Sequence, residues 1–138
     1  MYLQALGRAV YNFAYLELVV MHTIARVSPD GFDSVPKGET AKRIAGALAN
    51  AIQHTSPPLS RNLHRRLAQF HKRFGNAIKV RNKLIHAHPS TTHDGAQQFW
   101  ASGYEWPIET VYEAAKLFED LAIEGNAIYY SDLSRERS

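Results

Sequence analysis

The sequence predicts an all-α protein, an up-and-down bundle of four helices formed by one domain over residues 1–138. Apolar residues recur at three- and four-residue spacing in four separate stretches, and Pro and Gly break the chain between them. Residues with helix-capping side chains stand at the starts of two of these stretches. Composition agrees: 45% of the residues are hydrophobic and 21% charged, enough to bury one core, and no low-complexity tract competes.

The first helix, residues 3–26, carries Leu3, Leu6, Val10, Phe13, Val20, Met21 and Ile24 along one face, and Ser28-Pro29-Asp30-Gly31 ends it. A polar connection with Pro36 and Gly38 follows. Thr40 then caps a second helix with Ile44, Leu48 and Ile52 on one face, closed by Ser56-Pro57-Pro58. Ser60 caps a third, whose apolar residues are Leu63, Leu67, Phe70, Phe74, Ala77, Ile78, Leu84 and Ile85. That helix stops before Pro89, because proline disfavours helix in the residue preceding it. Residues 89–106 read as a loop with a short strand around Gln98 to Ala101. Pro107 sits in the first turn of the last helix, which buries Ile108, Val111, Ala115, Phe118, Ala122 and Tyr129.

Charge is distributed in blocks. The net charge of +3 resolves into −1 over the first forty residues, +10 from Ala41 to His93, where there is no Asp or Glu, and −6 from Asp94 onward. Either the basic block meets an anionic partner, or it packs beside the acidic one and the two fields cancel. The chain has no cysteine, which removes disulfides, thiolate metal sites and cysteine nucleophiles and fits a reducing, cytoplasmic setting. The N-terminal stretch lacks a basic leader and is interrupted by Arg8 and Glu17, so it reads poorly as a signal peptide. No membrane is expected as a partner, since no segment offers the roughly 20 apolar residues that a spanning helix needs.

Two charges fall on apolar faces. At about 100° per residue, Arg81 lies at the angle of Leu63, amid Leu67, Phe70, Phe74 and Ala77. By the same count Glu17 lies among Leu6, Val10, Phe13, Val20 and Ile24. A charge in an apolar stripe needs a partner, so a buried or half-buried Glu17 to Arg81 pair is inferred, either as a structural bridge or as a means of holding the arginine for chemistry. Asn82 and His86 are four apart and neighbours on a continuous helix, whereas Arg81 and His86 stand about 140° apart.

Arg81-Asn82-Lys83-Leu84-Ile85-His86 resembles the signature of the HEPN superfamily, an arginine, a polar residue and a histidine near the end of a helix in an all-helical bundle. Glu17 amid apolar residues of the first helix and the order of four helices extend the resemblance. It implies a metal-independent endoribonuclease without cofactor, acting on RNA, often a toxin or antiviral effector, whose site is completed between two copies of the chain. A partner antitoxin or effector protein is part of the same implication. By this resemblance Arg81 and His86 are catalytic, Asn82 orients the histidine and Glu17 supports the arginine. Lys79, Lys83 and His88, around the motif, are the substrate-binding candidates. Many toxin members carry a tyrosine two residues after the histidine, where a partner nucleotidyltransferase modifies them; here that position is His88. The family also contains inactive members, so a non-catalytic binding or dimerisation module is the alternative.

The residue types suit that chemistry. Histidine exchanges protons near neutral pH, and the planar guanidinium offers fixed donors to a phosphorane's developing charge. His86, His88 and His93 cluster, but only Asp94 stands near them and no second ligand pair has metal-site spacing, so no metal is expected. Phe99, Trp100, Tyr104 and Trp106 either stack on unpaired bases or, as such residues more often do, pin their loop to the bundle. Arg61, His64, Arg65, Arg66, His71, Lys72 and Arg73 form either a solvated face or a phosphate-contacting one. There is no Gly-rich phosphate loop, H-E-x-x-H or G-x-S-x-G.

Overall fold

A computed structural model describes residues 1–38, 40–91, 95, 97–101 and 104–137. It is an all-α bundle of α1 (Tyr2–Val27), α2 (Ala41–His54), α3 (Arg61–Ile85) and α4 (Ile108–Ala127), with a small sheet inserted between α3 and α4. Thr40 and Ser60 cap α2 and α3 as their side chains predict, accepting from the Arg43 and Leu63 amides. Pro107 is the residue before α4 rather than part of its first turn, and its carbonyl accepts from the Thr110 and Val111 amides. Beyond α4 the chain continues through a π-helical turn, Ile128–Leu133, into the short α5, Ser134–Glu136.

Helix direction departs from the up-and-down expectation. Tyr2 donates to the Trp106 carbonyl, Asn12 to the Ala115 carbonyl and Arg26 to Ser134 Oγ, so positions along α1 and along the last helices rise together. First and last helices are therefore parallel, whereas an up-and-down bundle makes them antiparallel. Arg66 with Asp132 and Arg73 with Glu124 show that α3 runs opposite to α4. Thr55, just past α2, donates to the Val27 carbonyl at 2.7 Å, so α2 finishes at the end where α1 finishes. The cause is the Ser28–Thr40 connection, which turns at Gly31 (φ 60°) and Gly38 (φ 64°) and is long enough to return the chain along the bundle. Only a short connection forces neighbouring helices to be antiparallel.

The buried face of α1 also differs from the predicted one. Leu3 is 79% and Val10 52% exposed, while Ala5, Ala9 and Leu16 are fully buried. Helices that approach closely need small side chains at their seam, and Ala114 and Ala115 of α4 supply the other side of it. Phe13, Leu67, Phe70, Phe74, Phe118 and Leu121 fill the centre. On α4 Val111, Ala115, Phe118 and Ala122 are buried as predicted, but Ile85 of α3 is 47% exposed.

Gly125 sits where three helices converge: a Cβ there would lie 2.6 Å from Val19 Cγ1 and 2.8 Å from Phe70 Cζ. Gly125→Ala is expected to destabilise by about 1–3 kcal/mol, because overpacking outweighs alanine's better helix propensity. A melting temperature at or above wild type would show that the seam has room.

The segment read as a loop instead forms an antiparallel meander, β1 (His88–Thr91), β2 (Gln97–Ala101) and β3 (Tyr104–Trp106). Its central strand covers the one strand the sequence predicts, and Phe99 lies opposite both Pro89 and Trp106. Each strand is too short to show a sustained alternation, which is why only one was legible. Trp106 is buried and its carbonyl takes the Tyr2 hydroxyl at 2.6 Å, so this aromatic pins the sheet to the bundle. For Phe99, Trp100 and Tyr104 only strand position is described, and His93 and Asp94 lie outside the described residues.

Candidate active site at the end of α3

Arg81 owes its position to the packing order of α3. Leu67, Phe74 and Arg81 follow one another at seven-residue steps; the first two are fully buried, and at the third the apolar residue is replaced by a charge. Arg81 is nevertheless only half-buried. The 14 residues of α2 span about 21 Å and are anchored at the far end of the bundle, so α2 leaves uncovered the half in which Arg81 and Phe13 meet.

There the Arg81 guanidinium lies over the Phe13 ring, 4.8 Å from its centroid, an arrangement in which the ring quadrupole attracts the cation. Its Nε is buried and has no hydrogen-bond partner among the described residues. Glu17, one turn beyond Phe13, is also half-buried. Burial pushes its carboxyl above the ordinary value of 4.5, and the positive charge of Arg81 acts against that rise. The inferred pair is thus an electrostatic coupling rather than a hydrogen-bonded bridge, with Phe13 as the guanidinium's direct support. Phe13 was legible only as a core residue; its four-residue spacing from Glu17 was the available signal.

The sign of that shift gives a pH-dependent expectation. A carboxyl that holds its proton more tightly in the folded chain makes stability fall as pH rises from 4.5 through the raised value. Glu17→Gln, which mimics the protonated form, is expected to raise the melting temperature at neutral pH, the gain vanishing toward pH 4.5 and below. A gain of equal size in acid would refute the burial cost.

His86 is exposed and terminates α3, its amide donating to the Asn82 carbonyl at 3.1 Å. The Asn82 side chain is exposed too, and no side-chain hydrogen bond joins it to the imidazole; the link between the two residues is through the backbone. Within one chain Arg81 lies on Phe13 and is coupled to Glu17; it makes no hydrogen bond with His86, which stands five residues on and about 140° round an ideal helix. Lys79, Lys83 and His88 are exposed around them. A hollow of about 240 Å³ between α3 and α4 is lined by Lys83, Val80, Trp106, Thr110 and Glu113. A larger one, about 570 Å³, lies at the opposite end beside Ser60, Arg65 and Asp132 and includes no motif residue. Among the described residues no group of three metal-ligating side chains occurs, and no helix is long and apolar enough to cross a membrane.

The fold and site define an all-α bundle with a half-buried arginine and an exposed histidine on one helix. Compared with family models, curated proteins and solved structures, the chain matches none.

Proposed function

We propose that the protein is a HEPN-like, metal-independent endoribonuclease acting as a homodimer, with Arg81 and His86 as its catalytic residues. The observation that carries this reading is the placing of Arg81: a guanidinium held on Phe13, coupled to Glu17, with a buried Nε that finds no partner among the described residues. Such a donor is costly unless something accepts from it, and a phosphate oxygen does so.

In this reading the 2′-oxygen of the RNA attacks the adjacent phosphorus, the bond from phosphorus to the 5′-oxygen breaks, and Arg81 binds the charge that develops between these events. His86 takes the 2′-hydroxyl proton or protonates the leaving 5′-oxygen, giving a 2′,3′-cyclic phosphate and a 5′-hydroxyl. Asn82 fixes the histidine's turn through its carbonyl, and Lys79, Lys83 and His88 supply charge and hydrogen bonds to the RNA. Since Arg81 and His86 of one chain stand apart, the second copy completes the site. The outward side of α1, where Leu3, Val10, Tyr11, Tyr15 and Leu18 are exposed, is the surface for that copy. A toxin or antiviral effector is the setting this reading implies.

The same apolar face favours a second reading, a non-catalytic module that binds a protein partner. One experiment separates them: purified protein is incubated with total RNA and tRNAs in EDTA, and the fragment ends are analysed. Cyclic-phosphate ends are the expected result; intact RNA, with the dimer confirmed by its mass in solution, rejects the ribonuclease and leaves the module.

A further inference from the structure

Along α3 the exposed residues fall into rows with a seven-residue step. Arg65, Lys72, Lys79 and His86 form one row, all exposed, climbing about 31 Å and turning about 20° per step. A second row beside it, Asn62, Gln69, Asn76 and Lys83, is also exposed and presents amides until its last member, a lysine. The lateral cations behave differently: Arg66 and Arg73 are held by Asp132 and Glu124 of the last helices. Ion pairs with the acidic C-terminal part therefore form at the flank of α3, and Asp132 and Glu136 also border the hollow beside Arg65 at its start. Arg65, Lys72 and Lys79 make no ion pair with any described residue, and α3 has no acid of its own.

We infer that this outward face is a track for the backbone of single-stranded RNA, leading to the end of α3 where His86 stands. The cationic row meets phosphates, and the amide row meets the edges of unpaired bases. Charge complementarity selects a polyanion of extended shape. A lipid surface does not fit, because from Arg61 to Asn82 no large apolar side chain of α3 is exposed to insert among acyl chains. The track extends the ribonuclease reading to the path of its substrate and rests on that reading only for what happens at His86; binding tests it independently of cleavage.

The test uses the full chain and a fluorescent 2′-O-methyl oligouridine, which has no 2′-hydroxyl to attack, titrated over about 50 to 200 mM salt. Lys72→Gln/Lys79→Gln is expected to weaken binding about tenfold or more and to flatten the log–log salt slope by about 1.4, the loss of two phosphate contacts on a single strand. Lys116→Gln, a charge removed from α4, is expected to change neither. The inference is overturned if wild type does not bind at the lowest salt, if the double variant binds like wild type, or if Lys116→Gln is equally damaging. Tighter binding to a paired RNA duplex or to polyglutamate also overturns it. Binding that obeys the track, together with intact RNA in the cleavage assay, keeps the track and rejects the ribonuclease.

Discussion

His86→Ala is expected to lose RNA cleavage by about 10²- to 10⁴-fold, the range for removing a positioned proton-transfer group. Its stability is expected to stay within about 0.5 kcal/mol of wild type, because the imidazole is exposed, makes no side-chain hydrogen bond with a described residue, and lies past the last turn of α3. The two measurements belong together. Lost cleavage with an unchanged melting curve places the imidazole in the chemistry, whereas retained cleavage removes His86 from the mechanism even if the protein proves to be a ribonuclease. An intermediate loss accompanied by unfolding would mean that the His86 turn is a structural joint between α3 and the sheet.

Arg81→Met separates function from stability in the opposite sense. Cleavage is expected to fall by about 10²- to 10³-fold, the usual loss when a fixed donor to a developing oxyanion is removed. The double variant Arg81→Met/Glu17→Gln is expected to hold or gain stability, since Arg81 occupies the step of a row whose other members, Leu67 and Phe74, are fully buried. Replacing both members of a buried charged pair by uncharged side chains is often neutral or stabilising by about 1–4 kcal/mol. Arg81→Met alone leaves the burial of Glu17 unopposed, so Glu17→Gln in the same chain is expected to restore stability. A gain in the double variant would mean that the arginine is maintained at the expense of the bundle, as functional groups commonly are. A protein that unfolds as Arg81→Met, and is not recovered by Glu17→Gln, would show instead that Arg81 holds the bundle through contacts other than its coupling to Glu17.

The sequence made α2, α3 and α4 readable because their punctuation is local: Thr40 and Ser60 accept the amides that open α2 and α3, and Pro107 offers its carbonyl at the start of α4. Arg81 was readable on the inward face for the same reason, since Leu63, Leu67, Phe70 and Phe74 define that face without tertiary information. The face of α1 was not. Hydropathy assigns the interior to the largest apolar residues, and here close approach to α4 gives it to Ala5 and Ala9 and turns Leu3 and Val10 outward. Helix direction was hidden for a different reason: a connection as long as Ser28–Thr40 permits either sense, and the choice is made by Thr55 and Val27, residues far apart in the chain. The support of Arg81 by Phe13 was likewise invisible, because it depends on which half of the bundle α2 fails to cover.

The parallel pairing of α1 with α4 bears on how the chain reaches its fold. Asn12 waits for a carbonyl 103 residues later, so α1 is synthesised well before the helix it pairs with. Until then the alanine seam is open to water and to other chains. Assembly thus depends on contacts 103 and 104 residues apart in sequence, whose entropic cost grows with the logarithm of the loop that must first be closed. A helical protein is usually quick to fold because its contacts are near neighbours; the pairing of α1 with α4 departs from that rule, and the ribosome must release most of the chain before α1 is sheltered.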